Sequence, residues 1–320
     1  MEGSSSGSAQ AHHAQAPPPP PPAKPASHDF SAFRSLCMSS EETAKGASFF
    51  QSRSGELFLA AALRSRDFVV NDAFKLVARF VDFRLKYGWG YRVNTDDDDG
   101  KMFEALASGV HWILPKPDAE GRSVVVLRPC KIQARGGKLD VNDYQKMAAI
   151  VMQQATGLFD KDASDSESWR DLFITLIVDL SEVGLSCVSQ FGVSDVERGI
   201  KMWQNCFPVK LRKIYLVNSG IVVGGVVKLA KRFLEKKISD RITVLKTHGF
   251  RNHEGERKAL HDALGGNAEF IPKLWGGTLD DDAWWKSWCV ERSEAAKAAR
   301  GAGGDNNDAE KYPWWMDFGY

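Results

Sequence analysis

The sequence predicts an α/β protein in which a small helical lobe precedes a larger domain of alternating strands and helices. Two runs of apolar, largely β-branched residues, 123–127 (SVVVL) and 172–180 (LFITLIVDL), have the composition of buried strands. Longer helical patterns separate such runs, and this alternation is typical of parallel strand pairs covered by helices. The 320 residues, 43% of them hydrophobic and 26% charged, suffice for one large domain with a helper lobe and tails.

The chain divides into four predicted regions. Residues 1–28 are rich in Gly, Ser, Ala, His and Pro, and they predict a disordered tail with polyproline II character. Residues 29–90 predict the helical lobe, because apolar residues from Ala73 to Val81 recur at spacings of three and four, with Asn71 or Asp72 as a helix cap. The main domain covers 91–290, and 291–320 is predicted to be a mobile tail.

The main domain contains the remaining strand and helix signals in strict alternation. After the two runs already named, further strands are expected at 213–218 (KIYLVN) and 241–245 (RITVL). Helices are expected at three places between and around them: 141–159, 196–207 and 226–237.

Composition excludes several classes of function. A net charge of +1 argues against nucleic acid as a partner, and no run of about 18 apolar residues predicts a transmembrane helix. The five cysteines form no CxxC pair and have no zinc spacing, which indicates reduced thiols in a cytosolic protein without a metal. The start of the chain resembles neither a signal peptide nor a transit peptide. We expect a cytoplasmic monomer.

Enzymatic motifs are also lacking in the sequence. Four histidines, His111, His248, His253 and His261, are accompanied by neither a GxSxG elbow nor an HExxH pair, and each is expected at the surface or in a loop. The glycines of 220–225 do not have the GxGxxG spacing of a dinucleotide loop. The sequence therefore predicts neither an enzyme nor a bound cofactor.

Four segments, in order, resemble the CRAL-TRIO lipid-transfer family. They are 63–68 (LRSRDF) followed by Asn71 and Ala73-Phe74; 120–126 (EGRSVVV); 178–186 (VDLSEVGLS); and the set 204–208 (QNCFP), 213–218 (KIYLVN), 231–234 (KRFL) and 274–277 (LWGG). The ordered set covers about residues 56–280. It is far more specific than any one segment alone.

The resemblance implies a CRAL-TRIO fold: a mixed sheet that floors an apolar pocket, with surrounding helices and a movable gate helix. By position the gate is the helix 226–237, with Val226, Ala230, Phe233 and Leu234 on its apolar side. Gly220, Gly224 and Gly225 precede it, and they serve either as a hinge or simply as tight turns.

The resemblance also implies residues that contact a lipid. On one strand Ile174, Leu176 and Val178 share a face by the period of two, and this face either lines the pocket or packs as ordinary core. The positions that align with headgroup cations in phosphatidylinositol carriers are Arg66 and Arg241. Other headgroup positions hold apolar residues, which makes phosphatidylinositol a poor expected ligand: Ile174, Leu176, Val209 and Ile238. Val125, also a predicted lipid-contact residue, aligns with a tyrosine associated with choline lipids.

The predicted gate helix carries a basic surface. Its polar side holds Lys228, Lys231, Arg232, Lys236 and Lys237. A basic amphipathic helix suits contact with an anionic membrane, although an ordinary solvated helix has the same pattern. We therefore expect a peripheral membrane protein that binds one lipid in an apolar pocket and transfers it between membranes. The alternative is a lipid-sensing or scaffolding module whose protein partner binds the Pro-rich N-terminus or the aromatic C-terminus (Trp314, Trp315, Phe318, Tyr320).

Overall fold

The described residues form a helical lobe and an α/β domain that share one continuous hydrophobic core. The computed structural model describes residues 27–87, 101–133, 139–156, 172–184, 187, 190, 192–218, 224, 228, 231–245 and 254–301. The predicted tail at 1–26, the acidic stretch 96–99 and the terminal aromatic residues lie outside them. No helix within these ranges is long and apolar enough to cross a bilayer.

The lobe is built from four helices, of which the apolar spacing at 73–81 predicted the last. They are α1 (Ser27–Ser39), α2 (Ala47–Gln51), α3 (Arg53–Ser65) and α4 (Val70–Lys86). The rings of Phe58 and Phe80 lie 4.1 Å apart and join α3 to α4. Phe80 also meets Phe207 of the α/β domain edge-on, with ring centroids 6.0 Å apart. This aromatic contact continues the core of the lobe into that of the larger domain.

The predicted cap of α4 is wrong. The helix begins at Val70, so Val69 occupies the N-cap position and makes no side-chain capping hydrogen bond. The turn before it has positive φ angles at Asp67 (51°) and Phe68 (64°), and Phe68 N–H donates to the carbonyl of Leu63. The tight connection to α3 therefore sets the start of α4, and polar residues expected as caps lie inside its first turn.

The sheet has five strands in the order β1 to β5. They are β1 (His111–Ile113), β2 (Ser123–Leu127), β3 (Phe173–Asp179), β4 (Lys210–Val217) and β5 (Ile242–Val244). β1 pairs with β2 in an antiparallel fashion, and the other three pairs are parallel. The mixed sheet and its parallel pairs confirm the predicted fold class. β1 was not predicted, because a three-residue strand is too short to show a period of two.

Besides the helical residues at 231–233, six further helices have bounds in the described part of the chain. They are α5 (Lys101–Ala107), α6 (Val141–Thr156), α7 (Val193–Lys201), α8 (Lys236–Ser239), α9 (Glu254–Ala263) and α10 (Asp281–Gly301). α7 continues into a π-helical turn at Met202–Cys206, which packs against α4 of the lobe.

The predicted helix 226–237 is not continuous. Residues 231–233 are helical, the helix is broken at Leu234 and Glu235, and α8 starts at Lys236. Glu235 is extended, with φ −59° and ψ 144°, so it cannot continue a helix. Lys236 and Lys237 therefore belong to a different element from Lys231 and Arg232. Val226 and Ala230 lie outside the described residues.

Trp285 joins the last helix, α10, to α5, and two acidic residues join it to Arg128, which directly follows β2. Trp285 Nε1 donates to the carbonyl of Leu106 at 2.8 Å, and its ring stacks on that of Trp288. The guanidinium of Arg128 binds both Asp281 and Asp282 at the start of α10. The boundary predicted at residue 290 lies inside this helix, which continues to Gly301.

A buried carboxylate joins three of the sequence motifs. Asp179, fully buried at the end of β3, accepts hydrogen bonds from Ser181 N–H (3.0 Å), Asn218 Nδ2 (2.9 Å) and Trp275 Nε1 (3.0 Å). Gly276, next to Trp275, has φ 89°, a conformation that side chains other than glycine rarely adopt. These motif residues hold strand ends together and do not border the cavity described below.

A second buried carboxylate stabilises the turn between β1 and β2. Asp118 accepts from Thr175 Oγ1 at 2.6 Å, from Arg122 Nε at 2.8 Å and from the backbone N–H groups of Glu120 and Arg122. Burial raises the pKa of Asp118, but the hydrogen bonds from Thr175 and Arg122 together outweigh burial and hold this pKa below its ordinary value.

We predict that Asp118→Asn lowers the free energy of unfolding by about 2 kcal/mol at pH 7, because it weakens a buried charge-assisted network. A depressed folded pKa stabilises the fold above the ordinary carboxyl value of 3.8, and this stabilisation is lost as pH falls through the folded pKa. The difference between variant and wild type in urea unfolding should therefore shrink from pH 5 to pH 2. Glu120→Gln, at an exposed carboxylate, is the control and should change stability by under about 0.5 kcal/mol. A difference that is independent of pH would contradict the prediction.

Candidate functional site

An apolar cavity of about 270 Å³ lies between the sheet and the helices α6 and α7. Its floor is formed by β3, β4 and β5, and its other walls by His111 of β1, Leu127 of β2 and the residues that follow it, α6, α7 and the π-helical turn. Leu234 and Lys231, from the segment before α8, complete the described part of the wall.

The period of two along parallel strands produces the floor. Leu176 of β3 pairs with Ile214 of β4, which pairs with Ile242 of β5, and all three side chains border the cavity. One step further, Val178 pairs with Leu216, and both also border it. Ile177, between Leu176 and Val178, is fully buried on the opposite face. The cavity therefore rests on two rows of aliphatic side chains.

Small residues on the facing helices leave room above this floor. Ala148 of α6 and Gly199 of α7 both border the cavity. The helices are joined by Gln145, whose Nε2 donates to the Asp195 carbonyl at 2.8 Å while its Oε1 accepts from Arg198 Nε. These hydrogen bonds link α6 to α7 beside the cavity.

His111 is a cavity residue that the sequence analysis misplaced. It was expected at the surface or in a loop, but it lies in β1, is 7% exposed and borders the cavity. Burial lowers the pKa of its imidazole to about 3, so the ring is neutral at physiological pH. Its Nδ1 has no hydrogen-bond partner among the described residues. The sequence analysis did not predict β1. Without a predicted strand, the period of two could not show which face of the sheet carries His111.

The predicted lipid-contact residues fall into two groups. Leu176 and Val178 border the cavity, as do Leu234 of the predicted gate helix and Lys231 of the predicted membrane contact. The other apolar positions do not belong to the wall formed by the described residues: Val125 and Ile174 are buried within strands, Ile238 is buried in α8, and Val209 precedes β4. Phe233 is half-buried and lies next to Leu234. These assignments stay predictions.

The two arginines aligned with headgroup cations have separate surroundings. Burial lowers the pKa of Arg66, and its charged neighbours are Glu235, Arg79, Asp72 and Asp67. Burial also lowers the pKa of Arg241, with a further contribution from Arg212, and its Nη1 donates to the Leu211 carbonyl. Arg241 thus already supports the backbone of β4.

Gln204 ties the segment before α8 to the π-helical turn. Its Nε2 donates to the Phe233 carbonyl at 3.0 Å, and its Oε1 accepts from Glu235 N–H at 2.7 Å. Gln204 and Leu234 both border the cavity. The two hydrogen bonds therefore hold this part of the wall closed at the point where the helix 231–233 ends.

The described residues offer little redox or metal chemistry. All five cysteines are free thiols, and burial raises the pKa of Cys37, Cys206 and Cys289 to about 12. Thiols with such pKa values are protonated and unreactive at neutral pH. Within the described part of the chain, no three His, Cys, Asp or Glu side chains are grouped so as to hold a metal ion.

Comparison with known proteins gives consistent matches. The chain is 26% identical to the alpha-tocopherol transfer protein-like protein of Homo sapiens over 232 residues, 72% of this chain and 61% of that protein. It is 27% identical to Clavesin-1 of Rattus norvegicus over 228 residues, 71% of this chain and 58% of that protein. The chain thus spans less than two thirds of the length of these relatives. The crystal structure of Sfh5 superposes with a TM-score of 0.48 at 12% identity, covering 84% of this chain and 96% of that one.

Comparison with models of whole protein families agrees with the sequence motifs and with the observed sheet. The sequence pattern of the CRAL/TRIO domain matches residues 107–266, half of the 320-residue chain. The match begins at the end of α5, covers all five strands and ends just after α9. The chain therefore belongs to the CRAL/TRIO domain family.

Proposed function

We propose that this protein binds one hydrophobic molecule in the cavity and transfers it between membranes. The observation that carries the proposal is the aliphatic floor, in which Leu176, Ile214 and Ile242 form one row across three strands. A well-packed core fills such a surface with side chains, whereas here an open volume of about 270 Å³ borders it.

The energetics of lipid exchange support this proposal. Each CH₂ group moved from a bilayer into water costs roughly 0.8 kcal/mol, so a long acyl chain does not leave a membrane at a useful rate alone. A carrier must offer an equivalent apolar surface, and the side chains of the cavity floor have this chemistry.

The matched relatives also support the proposed binding and transfer of a lipid. One matched protein is named for similarity to a tocopherol transfer protein. We extend from it only the general activity, binding and transfer of a lipid, and propose no enzymatic reaction. We further propose that the protein acts as a cytoplasmic monomer that contacts membranes peripherally.

Native purification followed by mass spectrometry of an organic extract tests the binding step. We expect close to one hydrophobic molecule per chain, or loading of the delipidated protein from vesicles. Movement of a fluorescent lipid from donor to acceptor vesicles tests transfer. Absence of both bound lipid and loading would overturn the proposal. Lipid that is retained without transfer would instead support the sensing or scaffolding alternative.

Loss of the Gln204 hydrogen bonds should speed ligand exchange. We predict that Gln204→Leu increases the rate of lipid release at least about 5-fold, because two hydrogen bonds at the end of the 231–233 helix each contribute about 0.5–1.5 kcal/mol, together about 1 kcal/mol or more. The measurement is release of a preloaded fluorescent lipid to excess acceptor vesicles. Asn205→Ala, in the same π-helical turn, should leave the rate unchanged. An unaltered rate in folded Gln204→Leu would show that these bonds do not limit exchange.

The basic residues near the cavity are the proposed membrane contact. Lys228, Lys231 and Arg232 are exposed, whereas Lys236 and Lys237 form surface ion pairs with Asp240 and Glu235. We predict that reversing the first three to Glu lowers co-sedimentation with anionic vesicles at least fivefold at low salt, since each cation contributes about 1 kcal/mol near such a surface.

The salt dependence separates a membrane surface from a general loss of folding. The effect of reversal should fade above about 0.5 M salt, where charges are screened within a few ångströms. Reversal of Lys258, an exposed residue of α9, is the matched control and should leave binding intact. Unchanged co-sedimentation of the triple variant would exclude this surface.

A further inference from the structure

We propose that residues 312–320 (YPWWMDFGY) fold back onto the helical lobe and dock in an apolar groove on its surface. The aromatic side chains of this segment would cover the groove within the same molecule. The groove shares no lining residue with the cavity, so the inference stands apart from lipid binding.

The groove lies between α1 and the connection that joins α3 to α4, and its volume is about 290 Å³. Phe33 of α1 and Leu63 of α3 line it and are each only 1% exposed. Leu36 of α1 and Val70 of α4 also line it, and they are 41% and 39% exposed. A groove with a buried apolar floor and large aliphatic residues exposed beside it has the character of an interaction surface. The remaining lining residues are Asp29, Ala32 and Phe68.

The wall opposite α1 has a fixed conformation. Phe68 N–H donates to the Leu63 carbonyl at 3.0 Å, and Val69 N–H donates to the Arg66 carbonyl at 2.9 Å. These hydrogen bonds close the tight connection between α3 and α4. A segment that binds a preformed wall orders fewer groups on docking, which favours binding of a short piece of chain.

The chain itself contains a segment with the chemistry that this groove requires. Large aromatic side chains are the usual anchors of an interface, because each buries about 150–250 Å². Residues 302–311 contain no apolar side chain larger than that of alanine. The apolar contacts would therefore come from 312–320, whose aromatic residues are Tyr312, Trp314, Trp315, Phe318 and Tyr320.

The groove also offers a partner for an indole N–H group. Asp29 lines it at the first turn of α1. An ionised carboxylate has acceptor sites for several hydrogen bonds, so it can accept from an indole in addition to its other contacts. A buried tryptophan needs such an acceptor, which favours Trp314 or Trp315 as the side chain that enters the groove.

The segment is long enough to reach the lobe. α10 ends at Gly301 and contacts α5, the first helix after the lobe. Residues 302–313, at about 3.3–3.6 Å each, span about 40 Å when extended. A folded chain of this length has a radius of gyration of about 19 Å, so a connector of about 40 Å reaches most of its surface.

The proline run Pro17–Pro22 is a poorer occupant of this groove. Only residues 23–26 separate it from Ser27, where α1 begins, so the chain would have to reverse within that short stretch to lie beside α1. Polyproline segments also dock against aromatic side chains, whereas the exposed lining residues Leu36 and Val70 are aliphatic.

¹⁹F NMR of the full-length protein labelled with 5-fluorotryptophan tests the docking. The signals of Trp314 and Trp315 are assigned from Trp314→Phe and Trp315→Phe, and a soluble gadolinium chelate broadens the signals of exposed rings. We expect at least one of the two signals to broaden at least about fivefold less than that of free 5-fluorotryptophan, because a docked ring is shielded for most of the time. This protection should persist on dilution of the protein, since the docking is intramolecular.

Val70→Asp places a carboxylate in the groove. It should lower the ratio of docked to free segment about tenfold, since the carboxylate loses hydration when the segment docks. Val70 is the first residue of α4, where the helix dipole favours an acidic side chain, so the helix tolerates the change. Val193→Asp is the matched control, because Val193 is the first residue of α7, is 55% exposed and does not line the groove. The control should leave the protection of both signals unchanged.

Hydrogen exchange gives a second measurement that leaves the groove itself intact. In Trp314→Ala/Trp315→Ala, the amides of residues 66–72 should exchange at least about fivefold faster than in the wild type, because the uncovered groove opens more often. The amides of residues 193–200 in α7 should exchange at the same rate in both proteins.

Four results would overturn the docking. The first is broadening of both tryptophan signals to the extent seen for free 5-fluorotryptophan. The second is protection that falls on dilution, which would identify a second copy of the chain as the occupant. The third is an equal effect of Val70→Asp and Val193→Asp, and the fourth is unchanged exchange at 66–72 in the double variant.

Discussion

Tryptophan in place of Ala148 is expected to abolish lipid loading. Ala148 lies on α6, is 2% exposed and borders the cavity, so an indole at this position extends over the aliphatic floor. An enlarged side chain in a filled core costs about 1–3 kcal/mol, but here the ring enters open volume. We expect at least a tenfold drop in lipid bound per chain, measured by mass spectrometry of extracts, with an unchanged circular dichroism spectrum.

The matched control is Ala259→Trp. Ala259 is also a helical alanine, but it lies on the exposed face of α9. This variant should retain the lipid content of the wild type. A folded Ala148→Trp protein with normal lipid content would show that the ligand binds somewhere other than this cavity, and the proposed function would lose its site.

Disrupting the hydrogen bonds of Asp179 is expected to produce the largest loss of stability. In Asp179→Asn one oxygen can still accept from Ser181 and Asn218, but the new amide N–H₂ faces the donor Nε1 of Trp275. A buried charge-assisted acceptor is replaced by two opposed donors. We expect the free energy of unfolding to fall by about 3 kcal/mol, measured by urea denaturation.

A double-mutant cycle distinguishes this network from general damage to the core. Trp275→Phe removes the opposing donor, so its cost added to Asp179→Asn should exceed the cost of the double variant by about 1 kcal/mol or more. Asp262→Asn, at an exposed carboxylate of α9, should change stability by less than about 0.5 kcal/mol. Strict additivity of Asp179→Asn and Trp275→Phe would refute direct coupling between the two side chains.

Three of the motif residues by which the family was recognised stabilise the fold, and they do not line the cavity. Asp179 comes from the third segment of the resemblance and Asn218 and Trp275 from two separate parts of the fourth, and they meet in one buried network at the ends of β3 and β4. The described residues that border the cavity are mostly aliphatic, and many aliphatic combinations can line a cavity equally well. Motif reading therefore finds the family without finding the ligand.

Local sequence was sufficient for most strands and for the lobe. The run 123–127 coincides with β2, and 172–180 contains β3, because continuous β-branched and aliphatic composition suits a strand buried on both faces. It was not sufficient to predict elements that are short or interrupted. β1 has three residues. The helix break at Leu234 and Glu235 contains neither proline nor glycine, so the sequence does not predict it.

The sequence alone determined the α/β class, the parallel core strands and the family, because each depends on composition and motif order along the chain. Only the tertiary structure decided which apolar faces border open volume. Leu176 borders the cavity and Ile174, two residues earlier on β3, does not, although the two have the same periodicity and similar composition. A buried strand face has the same sequence whether a helix or a cavity covers it, since both exclude water. The same reason explains why His111 was misplaced: whether a side chain of β1 lies at the surface or beside the cavity depends on the elements that pack against the sheet, which no local pattern encodes.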